Sequence, residues 1–144
     1  MNRRHGTKVE IGKSMGMPAL FKSIGLKATA QRQEIFQTFY DNDGPMTADQ
    51  IAAKMKRVDM VTLYRTLETF VRYRLIKKLN LSTGITFYEI SDAHHHHIVC
   101  SKCNLIEEVE SCEIGTLVPH SKKFSFISEH SLEFFGICKS CARS

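Results

Sequence analysis

Four histidines and two cysteines fall within one short stretch, His94-His95-His96-His97-Ile98-Val99-Cys100-Ser101-Lys102-Cys103. A second Cys-x2-Cys pair follows at Cys138 and Cys141. Four thiolates on two such knuckles make a full tetrahedral ligand set for a structural Zn²⁺ ion. The histidines bring a second chemistry. In an extended strand, successive side chains point to opposite faces. His94 and His96 then face one way, and His95 and His97 the other, so one strand can feed two metal sites. Glu113 and His130 can complete the set begun by His94 and His96. Glu89 and Glu108 can complete the set begun by His95 and His97. This mixture of nitrogen and oxygen donors suits Zn²⁺, Fe²⁺ or Mn²⁺, and ligand type alone does not choose among them.

Other readings of these residues are weaker. A redox-active cysteine pair needs a thioredoxin-like strand and helix around it, which neither pair has. Bunched imidazoles repel one another when protonated and have little value in a core. A hydrolytic metal centre would carry a His-Glu-x-x-His helix or a carboxylate left free as base. The chain lacks the first, and its carboxylates read as ligands, so no enzyme is expected. The fifth cysteine, Cys112, is by default a small buried hydrophobe. Oxidation at Cys112, or at an iron-bound histidine, is the alternative route to regulation.

Size and charge constrain the partners. The 144 residues suffice for one sizeable domain or two small ones. No apolar run approaches the roughly 20 residues that span a bilayer. The polar N-terminus lacks a signal-peptide core. The expected place is therefore the cytoplasm, where thiols stay reduced. Net charge is +5, unevenly spread. Residues 1–92 carry 15 Lys and Arg against 9 Asp and Glu, while residues 93–144 carry 5 against 6. A basic first half implies a polyanion partner, with the metal ligands gathered in the second.

The elements that must position these groups follow in order. Residues 1–16 read as a flexible basic arm. Leu20, Phe21 and Ile24 share one face of a short helix stopped by Gly25. Thr29 caps a helix from Ala30 to about Asp41. Thr47 and Gln50 form a capping box for a third. Asp59 caps a fourth, with Leu63, Leu67 and Phe70 inward and Thr62, Arg65, Thr66 and Thr69 outward. Two helices joined by a short turn, the second with a hydroxyl and arginine face, suggest a helix-turn-helix. Residues 76–81 and 85–90 alternate around Ser82-Thr83-Gly84 as a hairpin, which makes the unit a winged helix. The wing tip could touch phosphates. Otherwise Lys77 and Lys78 serve to keep an edge strand soluble. Residues 91–93 read as a hinge. Beyond it come strands over 97–100 and 105–110, a helix over 113–122, and two strand-like pieces between 124 and 135. The fold class is thus α+β: a winged helix-turn-helix domain over 1–92, then a small α+β metal-binding and dimerisation domain over 93–144. The latter is near the size that needs metal or dimerisation for stability.

This pattern resembles the ferric uptake regulator family of metal-dependent repressors. The resemblance covers roughly residues 21–141. It rests on Gly25-Leu26-Lys27-Ala28-Thr29-Ala30-Gln31-Arg32, on Thr62-Leu63-Tyr64-Arg65-Thr66-Leu67, on the histidine run ending in the first knuckle, and on His130-Ser131-Leu132 leading to the second. It implies a homodimer on AT-rich palindromic double-stranded DNA operators, with no membrane partner. It also implies structural Zn²⁺ on Cys100, Cys103, Cys138 and Cys141. The implied sensing site is Glu89, His95, His97 and Glu108, taking Zn²⁺, Fe²⁺ or Mn²⁺. The implied additional site is His94, His96, Glu113 and His130. Tyr64 would touch bases and Arg65 the backbone, with Lys27, Arg32, Arg57 and Thr62 adding to the DNA surface. Three departures stand out. No histidine lies near Pro45, where many iron and peroxide sensors add a ligand. His96 replaces an aspartate common in iron sensors, as in the zinc-sensing branch, whereas Glu89 sits where that branch often has cysteine. Ala30 replaces a frequent proline.

Overall fold

A computed structural model describes residues 15–42, 44–81, 83–91, 95–109, 121–127, 130 and 132–143. The chain divides into two compact units, Met1–Ala93 and His94–Ser144.

In the first unit, helix α1 (Met17–Ser23) buries Leu20 and Phe21. Helix α2 (Ala30–Tyr40) starts where Thr29 Oγ1 accepts the Arg32 N–H at 3.3 Å. It buries Ile35, Phe36 and Phe39. Helix α3 (Ala48–Lys54) begins with the complete capping box: the Gln50 N–H donates to Thr47 Oγ1, and the Thr47 N–H donates to Gln50 Oε1 at 2.8 Å. Two orphan donors are thereby satisfied. Helix α4 (Met60–Arg72) is capped by Asp59, whose Oδ2 accepts both the N–H and the hydroxyl of Thr62. These bonds, the backbone one foremost, hold the Asp59 carboxyl below its ordinary pKa. Leu63, Leu67 and Phe70 are fully buried on α4's inner face. The Phe70 ring lies 5.7 Å from Phe21 and 5.3 Å from Phe36, centroid to centroid, which ties three helices together.

Strand β1 (Ile76–Asn80) pairs antiparallel with β2 (Thr86–Ile90). Gly84, at φ +74°, closes the turn in a conformation that favours glycine. Met46 joins Tyr88 through two backbone hydrogen bonds, so the segment before α3 extends this hairpin. Helices followed by a hairpin wing make a winged helix-turn-helix. The two wing lysines do more than keep a strand soluble. Lys77 pairs with Glu89 and Lys78 with Glu68.

The second unit is a three-stranded sheet in the order β4-β3-β5. Strand β3 (His96–Cys100) is central, with β4 (Ile106–Val109) antiparallel on one side and β5 (Glu133–Gly136) parallel on the other. The tight return from β3 to β4 places Asn104 at φ +59°, a left-handed conformation that asparagine tolerates. A short helix α5 (Lys139–Ala142) follows β5. The expected pair of strands between 124 and 135 is corrected here. Among the described residues of this stretch, only Glu133–Gly136 is a strand, while residues 124–127 are bends and irregular backbone outside the sheet. Their apolar alternation looks strand-like, yet both long edges of β3 are taken by β4 and β5. The expected helix over 113–122 lies outside the described residues except at its end, as do Cys112 and the basic arm over residues 1–14.

Candidate metal centres and DNA-facing surface

The sheet brings the two cysteine knuckles together. Cys100 ends β3, Cys103 lies on the β3–β4 turn, and Cys138 and Cys141 sit at the start and within α5. Parallel pairing of Cys100 with Gly136 carries the second knuckle to the first. The four Sγ atoms all lie within 4.8 Å of one another, and Cys103 Sγ is 3.7 Å from Cys138 Sγ. A tetrahedral ion with S ligands at 2.3 Å requires S···S edges of about 3.8 Å. The set therefore fits Zn²⁺ in both chemistry and spacing. Backbone donors support it: the Cys138 N–H points at Cys100 Sγ at 3.4 Å, and the Cys141 N–H at Cys138 Sγ at 3.4 Å. The Cys138 N–H, with the other knuckle amides, lowers the Cys100 thiol to about 6. Cys141, hydrogen-bonded to Cys138 and Cys103, is raised to about 12. Crowded thiols ionise one after another, and only a cation allows all four to be thiolates together.

The histidine run alternates as the strand geometry requires. The rings of His95 and His97 lie 4.9 Å apart, and their nearest ligand nitrogens are within 4.8 Å. On the opposite face His96 is buried, with the His130 ring 5.3 Å away. Burial first, then the neighbouring His130, lowers the His96 pKa. This keeps an imidazole nitrogen available as a ligand. Glu108 stands directly opposite His97 on β4. A residue not singled out from sequence, Glu133, stands at the same level on β5. In-register neighbours share a face, so His97 is flanked by carboxylates on both sides. No local motif announces Glu133, because its place depends on parallel pairing with a distant strand. His94 and Glu113 lie outside the described residues. Glu89 belongs to the first unit, on β2, where it is 3% exposed and ion-paired to Lys77.

The expected DNA-facing residues divide into two groups. Lys27, Arg32, Thr62 and Arg65 line one cleft of about 330 Å³ between the start of α2 and α4, together with Thr29, Thr66 and Thr69; Thr66, expected on the outer face, is instead buried at 7% exposure, its neighbours packing over it. Arg32 Nη1 is steadied by the Lys27 carbonyl at 2.9 Å. The Thr62 hydroxyl proton is committed to Asp59. Three cations among hydroxyls form a surface suited to phosphate oxygens. Tyr64, 46% exposed on α4, instead borders a second cleft with Lys78 and Ile85 of the wing. Arg57 is exposed on the bend between α3 and α4.

The model of the "Ferric uptake regulator family" matches residues 23–135. The chain belongs to the ferric uptake regulator family. Among solved structures, the ferric uptake regulator from Francisella tularensis with iron is 34% identical, with a TM-score of 0.73 over 82% of this chain and 96% of that one. The Helicobacter pylori regulator, described with three functional metal binding sites, is 27% identical with a TM-score of 0.75 over 99% of each chain. The peroxide-responsive repressor PerR of Staphylococcus epidermidis is 27% identical over 130 residues, which is 85% of this chain and 86% of that one. Ferric uptake regulator family members are metal-binding, DNA-binding transcriptional regulators, and this chain shares their α+β fold. Among the described residues, no helix is long and apolar enough to cross a membrane.

Proposed function

We propose that the chain is a metal-gated, sequence-specific repressor that acts as a homodimer on AT-rich palindromic operators and has no catalytic activity. In this reading residues 1–92 read DNA, and residues 93–144 dimerise and bind metal. Cys100, Cys103, Cys138 and Cys141 hold structural Zn²⁺. Glu89, His95, His97 and Glu108 sense a divalent metal. His94, His96, Glu113 and His130 form an additional site. The exposed apolar side chains of the second unit support dimerisation, Phe124 and Phe126 at 73% and 78% above all.

The observation that carries the sensing reading is a pair of buried ligands at the two ends of one link. Glu89 lies next to the end of the wing's last strand at 3% exposure, and His97 lies on the next strand at 5%, with the His95 ring 4.9 Å from its own. A divalent cation held by these groups would cross-link the strands on either side of residues 91–94. Zn²⁺ and Fe²⁺ suit the donors, as does Mn²⁺. The two α4 helices of a dimer must sit about one DNA turn apart, ~34 Å, to read both half-sites. Restricting the link favours that arrangement only through its difference in metal affinity between conformations.

Operator binding with and without chelator tests this. A 100-fold loss on chelation corresponds to about 2.7 kcal/mol of coupling. Glu89→Ala should keep the fold and abolish that increment. Wild-type behaviour of the variant would assign sensing elsewhere. The peroxide-responsive relative supports a second reading. In that case brief peroxide exposure releases DNA from the Fe²⁺-loaded chain and not from the Mn²⁺-loaded one. Equal retention of DNA in both would leave metal sensing alone.

A further inference from the structure

Glu89 already has a cation. Lys77 stands directly opposite it in the wing register, and Lys77 Nζ lies 2.8 Å from Glu89 Oε1. The two partners differ in exposure: the carboxylate side chain is 3% exposed and the lysine 33%. A carboxylate this deeply buried stays ionised when a neighbouring positive charge compensates it. The lysine head, on its long stem, can leave for water with little loss. The pairing is a property of this position and not of basic strands in general. The adjacent Lys78 points to the other face and pairs with exposed Glu68 at 3.1 Å.

We propose that Lys77 is the resident counter-ion of Glu89 and competes with the divalent metal for that carboxylate, so that it sets the concentration at which the protein responds. The inference rests on Glu89 being a sensing ligand. An ammonium and a divalent ion on one carboxylate repel each other. Metal capture is then an exchange of cations, in which Glu89 is compensated in both states and Lys77 Nζ moves to solvent in the loaded one. Without Lys77, the buried carboxylate of the metal-free chain would lose the positive charge 2.8 Å from it. Lys77 thus stabilises the metal-free state and weakens metal binding through the same contact.

The test is Mn²⁺ calorimetry on the full-length, zinc-loaded protein, together with thermal unfolding of the same protein without Mn²⁺. The binding step that Glu89→Gln weakens reports this site. Lys77→Met should tighten that step about tenfold, a typical size for linked equilibria, and lower the unfolding midpoint of the Mn²⁺-free protein. Lys77→Gln keeps a donor without the charge, guards against misfolding, and should tighten binding in the same direction. Lys77→Arg keeps the charge and should bind as wild type. On a Glu89→Gln background, Lys77→Met should change nothing. If Glu89→Gln weakens Mn²⁺ binding while Lys77→Met and Lys77→Gln do not tighten it, the competition is refuted and Glu89 remains a ligand. If Glu89→Gln leaves every Mn²⁺ step unchanged, the sensing-site reading fails and the inference with it.

Discussion

Among the described residues, the two units bury different kinds of side chain. The first has an ordinary apolar interior, in which Phe21, Phe36, Leu63, Leu67 and Phe70 are fully buried. In the second, the buried described residues are His96, His97, Val99 and Cys100, and three of these four carry metal-ligand chemistry. Phe124, Phe126, Phe135 and Ile137 remain exposed there. An interior made of donors offers little hydrophobic stabilisation by itself. Under the proposed function, the stability of the second unit should therefore follow what its donors bind, and that of the first should not.

The sharpest way to break that contrast is to remove one thiolate. Cys100→Ser should abolish cooperative unfolding of the second unit and dimerisation, and leave the first unit's transition in place. Structural zinc contributes about 10–16 kcal/mol of apparent binding free energy, more than a small unit's net stability. Circular dichroism and sedimentation would follow both; a single unshifted transition would show that the second unit holds itself together. The converse experiment is Phe70→Ala. Deleting a ring packed on Phe21 and Phe36 should cost about 3–5 kcal/mol in the first unit and leave zinc affinity unchanged. A shift in zinc affinity would mean that the units are energetically coupled.

Smaller effects test the DNA-facing surface. Arg65→Ala should lower operator affinity about tenfold and reduce the salt slope by about one ion. An unchanged slope would remove Arg65 from the phosphate contacts. Thr47→Ala breaks the capping box and should cost about 1 kcal/mol in the first unit. The smallest effect is acidic. The Asp59 carboxyl titrates below its unfolded value because Thr62 bonds to its ionised form. Its contribution is complete above the unfolded pKa and fades as pH falls through the lower folded one. Asp59→Asn should flatten the acid limb of the first unit's stability curve, and an identical limb in the variant would assign that pH dependence to other groups.

Much of the first unit was legible from sequence. The caps at Thr29, Thr47 and Asp59 and the helical spacing of Leu63, Leu67 and Phe70 involve residues only a few positions apart, so local rules suffice. The hairpin announces itself through alternation around Gly84. The donor types gathered in the second unit were equally plain, because histidine and cysteine at such density are visible in any short window. Partners across the sheet were decided by tertiary structure. Alternation says which residues share a face, but not which strand lies alongside. That is why residues 124–127 looked like a strand and are not one. It is also why Glu133 beside His97 and Lys77 opposite Glu89 emerged only when the strands were paired. The two knuckles are visible as spacings, and their closure on one another depends on β5 running parallel to β3, a non-local contact no short window of sequence contains.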